Sequence, residues 1–145
     1  MSDEKIAGIM RDFVKTMAEG DVEKMLSLVT EDAVWTNPNG TFRGKAELKR
    51  YLTVFLGTMR DVTVTECGNG IIVQGNKAFF EHVIAGTIEG KRGEALAMCA
   101  YEFSDDKIKE VRTTYDRLLM SQQVAPWFGK WMVNFIVKQA EKGLH

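Results

Sequence analysis

Few side chains in this sequence can do chemistry, and their types restrict what that chemistry is. There are two histidines, His82 and His145, and two cysteines, Cys67 and Cys99. With no CxxC pair and no Cys/His cluster, the set seats no zinc, and two cysteines build no disulfide framework. No metal and no cofactor are expected. Alternation along the run around His82 puts Phe80, His82, Ile84 and Gly86 on one strand face, with Phe79, Glu81 and Val83 on the other. A hairpin turn at Glu89-Gly90 brings Cys99, on the neighbouring strand, to the face of His82. Imidazole and thiol on one face are the ingredients of a nucleophilic pair, whereas a thiol enclosed by apolar side chains is a small hydrophobe. An apolar surround penalises imidazolium, leaving His82 a neutral base or hydrogen-bonding group near pH 7. The plainer alternative is a hydrogen-bonded core histidine.

The elements that position these groups follow from periodicity. Ile6, Ile9, Met10, Phe13, Val14 and Met17 recur at helical spacing over residues 3–19, with Ser2 as N-cap and Gly20 as left-handed C-cap. Asp21 caps a short second helix carrying Val22, Met25, Leu26 and Val29. A strand at residues 33–37 ends at Pro38-Asn39-Gly40, and a third helix fits residues 45–58. From residue 61 to 116 the period becomes that of strands. Turns at Gly75-Asn76, Glu89-Gly90 and Asp105-Asp106-Lys107 divide this stretch into four antiparallel strands, the first bent at Gly68-Asn69-Gly70. On the opposite sheet face, Glu81, Glu102, Arg112 and Asp116 are expected to form cross-strand charge pairs. Helices followed by a long-stranded meander make an α+β plan.

The chain has 145 residues, enough for one domain with its own core. Its 19 basic and 20 acidic residues give a net charge of −1, so no positive field collects nucleic acid. The charged N-terminus opens an amphipathic pattern and not a signal sequence, and no apolar run approaches the roughly 20 residues of a membrane span. A soluble, cytoplasmic protein is expected. The tail departs from the meander: after Pro126 a helix carries Trp127, Phe128, Trp131, Met132, Phe135 and Ile136 on one side. Such a stripe calls for burial as a pocket lid or against a partner subunit; three lysines are too few to favour a membrane surface.

Three motifs carry a family resemblance. The run Phe13-Val14-Lys15-Thr16-Met17-Ala18-Glu19-Gly20-Asp21, with Leu28 and Glu31-Asp32-Ala33-Val34-Trp35, resembles the opening of nuclear transport factor 2-like domains. Phe42-Arg43-Gly44-Lys45-Ala46-Glu47-Leu48 resembles their approach to the third helix. The run from Lys107 to Leu118 is similar to the SnoaL-like branch, which includes polyketide cyclases. The resemblance covers about residues 4–124 and implies a cone-shaped, curved antiparallel or mixed sheet wrapped around an apolar pocket closed by N-terminal helices. The expected organisation is a domain over 1–125 and a C-terminal amphipathic helical extension over 126–145. The resemblance also implies a homodimer.

The catalytic residues of that family do not carry over. Where ketosteroid isomerases place an aspartate base, this chain has Asn37, whose amide takes no proton at neutral pH. Their oxyanion tyrosine and aspartic acid fall at Phe13 and Cys99. The cyclases' aspartate and histidine fall at Thr113 and Cys99. In limonene epoxide hydrolase-like members an Arg/Asp pair and a second Asp activate water; those slots hold His82, Ile84 and Thr113, and only Asn37 matches, with Trp35 at the tyrosine. His82, Asn37 and Cys99 remain as catalytic candidates. Phe13, Met17, Trp35, Phe55, Phe80, Ile84 and Tyr101 are the expected pocket lining, with Thr113 and Tyr115 as further polar contacts. A small, mostly apolar ligand is the expected partner. Two functions stay open: an isomerase, cyclase or lyase rebuilt around His82, and a non-catalytic binding or carrier domain.

Overall fold

The computed structural model describes residues 1–143; residues 144 and 145, the end of the expected extension, lie outside the described residues. Helix α1 (Asp3–Glu19) starts where Ser2 accepts a hydrogen bond from the Lys5 amide and ends at Gly20 in the left-handed conformation. It buries Ile6, Met10, Phe13 and Met17, the face read from the spacing. Helix α2 (Val22–Ser27) is capped by Asp21. Strand β1 (Val29–Asn37), strand β2 (Gly40–Arg43) and helix α3 (Gly44–Thr58) follow, then β3 (Arg60–Gln74), β4 (Lys77–Ile88), β5 (Lys91–Ser104) and β6 (Lys107–Tyr115). Helices α4 (Arg117–Val124) and α5 (Trp127–Ala140) complete the chain.

The six strands form one mixed, open sheet in the order β2-β1-β6-β5-β4-β3. It is an α+β cone: α1 packs over β3, and α3 over β1. The hairpin turns between β3 and β6 fall at the expected positions. The bend at Gly68-Asn69-Gly70 is a register shift between the pairs Glu66↔His82 and Ile71↔Phe80. Ile6, Met10, Met25, Leu52 and Ile108 are wholly buried between sheet and helices, each contributing about 1.5–3 kcal/mol of transfer free energy.

Several local expectations are corrected. Strand β1 begins at Val29, not Ala33, because it pairs in parallel with β6, a partner distant in sequence. Pro38-Asn39-Gly40 does not simply end that strand; it turns the chain into β2, which pairs Trp35↔Phe42 and Asn37↔Gly40. Helix α4 was not expected. It lies on the β4–β5 hairpin, where Gly86 and Gly93 oppose each other. A Cβ on Gly93 would stand 2.6 Å from the Met120 sulfur and 2.8 Å from Val124, and one on Gly86 2.5 Å from Met59. Side-chain-free backbone lets Met59 and α4 approach the sheet there. On the outer face Arg112 pairs with Glu102 (3.2 Å) and Glu110 (2.6 Å) as expected of that surface. Glu81 instead accepts from the backbone and side chain of Asn69, both at 3.0 Å, and Asp116 caps α4 through the Leu119 amide.

Helix α5 packs on α4, with Gln122 Nε2 donating to Asn134 Oδ1 at 3.4 Å, and its Val133 and Val137 are half-buried. Its aromatic stripe faces outward, with Trp127 84% and Trp131 68% exposed. It does not lid the pocket of its own chain: no α5 side chain lines the cavity described below. No described helix is long and apolar enough to cross a membrane.

Candidate functional site

The concave face of the sheet, α1 and α3 enclose a cavity with two chambers. The inner chamber, about 40 Å³, is walled by Met17, Trp35, Asn37, Tyr51, Phe55, Val64, His82, Ile84, Cys99, Tyr101, Thr113 and Tyr115, among others. The outer chamber, about 270 Å³, lies between the C-terminal end of α3, the end of β4 and α4. Phe55, Ile84 and Tyr115 line both, so the chambers adjoin across these three side chains, and the pair is termed the funnel. Its outer wall adds Asn39, Met59, Ile88, Arg117, Met120 and Ser121.

Strand pairing explains why the polar groups converge. Cys99 and Thr113 face each other across β5 and β6, and Trp35 on β1 pairs with Val111, two residues before Thr113. The Trp35 indole Nε1 donates to Thr113 Oγ1 at 2.9 Å, and the same hydroxyl shares a hydrogen bond with Cys99 Sγ at 3.2 Å. Asn37 closes β1. Its Oδ1 accepts from the Asn39 amide at 2.8 Å, an Asx turn that orients the side chain. Its Nδ2 is buried without a partner among the described residues, and so is Nδ1 of His82. Asn37 is 8% exposed and His82 5%. His82 stacks on Phe80, centroids 4.3 Å apart and planes 21° from parallel, and pairs on β5 with Ala97, whose small side chain leaves the ring room.

The same enclosure sets the electrostatics. Burial lowers the His82 pKa, opposed only in part by the Phe80 backbone, so the ring is neutral at pH 7. Burial raises the Cys99 thiol to about 11 against the weaker pull of Thr113 and Tyr101. Burial, followed by the adjoining Cys99, raises Tyr101 well above its usual value. Tyr51 is pushed up to about 12 by burial; Asn39 and Asn37 lie close enough to oppose part of the shift, though Asn37 Nδ2 completes no hydrogen bond. All these groups are neutral at pH 7. Among the described residues no cluster of three or more His, Cys, Asp or Glu is placed to hold a metal, and no carboxylate lines either chamber.

Most of the residues singled out from the sequence meet here: His82, Asn37, Cys99, Met17, Trp35, Phe55, Ile84, Tyr101, Thr113 and Tyr115 all reach the inner chamber. Phe13 and Phe80 do not line the funnel. Each is 1% exposed and sits behind the wall: Phe13 tilts against Trp35 at 5.6 Å, and Phe80 backs His82 and turns toward Val14 and Ala18 of α1. Nor does Cys99 pair with His82. Its partner is Thr113, and a thiol raised by burial is a weak donor, not a nucleophile. The expected lining omits several wall residues, Tyr51 and Arg117 among them. The Tyr51 phenol stacks between Phe42 (4.2 Å) and Phe55 (5.8 Å) and meets Trp35 edge-on. Its place one turn before Phe55 on the same face was the available signal. Arg117 had none, because α4 was not anticipated.

Comparison with known proteins agrees with this architecture. Among solved structures, an NTF2-like protein of unknown function from Burkholderia pseudomallei superposes with a TM-score of 0.76 at 15% identity, covering 87% of this chain and 100% of that one. An LEH-like epoxide hydrolase from M. tuberculosis gives 0.71 at 18% identity over 92% of this chain and 96% of its own. A putative isomerase from Bacillus subtilis gives 0.68 at 21% over 90% and 97%. At these identities the likeness concerns the fold alone. No curated protein matches the sequence. The family model for the SnoaL-like domain matches residues 10–111, the stretch from the middle of α1 to the middle of β6 that builds most of the inner chamber. The chain belongs to the SnoaL-like family.

Proposed function

We propose that this protein binds a small, mostly apolar organic molecule in the funnel, gripping a carbonyl or hydroxyl oxygen of the ligand at the inner end. One observation carries this reading: two buried polar atoms, Asn37 Nδ2 and His82 Nδ1, have no partner among the described residues and both belong to the wall of the same chamber. An unpaired buried polar group costs about 1–3 kcal/mol. A ligand oxygen at Asn37 and a ligand hydroxyl at a neutral His82 would recover that cost on binding, while the aromatic wall supplies apolar contact. Native mass spectrometry of the freshly purified protein, with thermal shifts against a panel of cyclic ketones and phenols, tests it. A retained apolar molecule or a stabilising ketone is expected. A protein that is empty and unmoved by the whole panel overturns the reading.

A second reading, proton transfer, is favoured by the His82 ring itself. It is neutral at pH 7, with one ring nitrogen unpaired and an amide donor in the same chamber. In that role His82 would take a proton from the carbon next to a ligand carbonyl while Asn37 holds the oxygen, an isomerase- or lyase-type step. The water activation that the resemblance to limonene epoxide hydrolase-like members implies finds no carboxylate on this wall. Solvent deuterium exchange into a bound ketone, followed by NMR, separates the readings. Exchange that disappears in His82→Gln marks an enzyme, and binding without exchange marks a carrier.

A further inference from the structure

Resting on the binding reading above, the wall chemistry of the outer chamber narrows the ligand class. Among the described residues, Arg117 is the one member of either chamber wall that carries a formal charge at neutral pH, given a neutral His82. It is the first residue of α4, and its Nη1 donates to the Pro38 carbonyl at 2.9 Å. That bond ties the guanidinium to the β1–β2 turn, whose Asn39 also lines the outer chamber. Among the described residues it meets no carboxylate, and the neighbouring Asp116 is engaged with the Leu119 amide at 2.9 Å. A guanidinium held at one nitrogen keeps its other N–H groups for an acceptor, and their planar fork matches the two oxygens of a carboxylate. Around it Met59, Ile88, Met120 and Val124 are apolar.

We infer that the ligand is an apolar organic acid, its carboxylate held by Arg117 at the mouth and a neutral carbonyl or hydroxyl oxygen held by Asn37 and His82 at the inner end. A cationic ligand meets an uncompensated positive charge at the mouth and no anionic group along the funnel. A neutral one forgoes the charge-assisted hydrogen bonds.

The test measures calorimetric binding of decanoic acid, its ω-hydroxy derivative, decanol and decylamine to the full chain and to Arg117→Met and Arg117→Lys, with circular dichroism confirming the fold of each. Both acids are expected to bind the unmodified protein up to about fivefold more tightly than decanol, the scale of an ion pair at a solvent-exposed guanidinium. Decylamine is expected to bind weakest. Arg117→Met should erase the preference for acid over alcohol without weakening decanol, and Arg117→Lys should restore part of it. Decanol or decylamine binding as tightly as the acids, or a preference that survives Arg117→Met, overturns the acid inference and leaves the binding reading standing. Binding of none of the four overturns the acid inference, while the ketone and phenol panel above decides the binding reading separately.

Discussion

Replacing His82 by Phe separates a ligand-binding histidine from a structural one. In the native fold His82 is 5% exposed, stacks on Phe80 at 4.3 Å and leaves Nδ1 without a partner. Phenylalanine keeps the stack, removes the orphaned nitrogen and adds one ring atom beside a chamber of about 40 Å³. Relief of an unpaired buried polar group is worth about 1–3 kcal/mol, and a modest packing strain takes back part of it. The expected net gain is about 1–2 kcal/mol near pH 7.5, or roughly 3–7 °C in melting temperature for a chain of this size. A second signature appears in acid. The folded pKa of His82 lies below its unfolded value, so under about pH 6.5 the unfolded chain binds the proton more readily than the folded one. Stability from this site is complete above that pH and is lost as the pH falls toward the folded pKa, with a slope of at most about 1.4 kcal/mol per pH unit. His82→Phe should lack that component. Thermal unfolding of both proteins near neutral pH and near pH 5, followed by circular dichroism, reads both effects. A variant less stable than the native protein at neutral pH, or one that keeps the full acid loss, would refute the reasoning, because Nδ1 would then be making a structural bond.

Thr113→Val should destabilise by about 1–3 kcal/mol, since the isosteric change strands the Trp35 indole N–H in a buried wall; Thr113→Ser should recover most of the loss in thermal unfolding. Ending the chain at Ala125 should move the melting temperature by only a few degrees, because no residue of α5 is fully buried. The same truncation should sharply lower the fluorescence of the apolar-surface probe ANS by removing the exposed stripe from Trp127 to Ile136. A collapse in stability, or unchanged probe binding, would show that α5 is integral to the core.

How much of this protein can be read from its residues depends on how local the cause is. The buried stripe of α1, its caps at Ser2 and Gly20, and the hairpin turns at 75–76, 89–90 and 105–106 were legible because each is set by neighbours within a few residues. The face shared by His82, Ile84 and Cys99 followed from strand alternation and one turn position, and the structure keeps it. Missing was the parallel pairing of β1 with β6, a partner far along the chain, which extends β1 back to Val29; the short β2, though local, is specified only by its hairpin pairing with β1. Helix α4 was missed too, as a weakly amphipathic segment seated by its approach to Gly93. The same division runs through the site. Residue types placed polar groups among apolar ones, but only the closed sheet-and-helix wall put Phe13 and Phe80 behind the lining, turned Cys99 to Thr113 instead of His82, and brought Tyr51 and Arg117 to the funnel. Periodicity specifies which face of an element is buried, whereas the atoms that meet across that face, and those left without a partner, are set by side-chain packing between elements far apart in the chain.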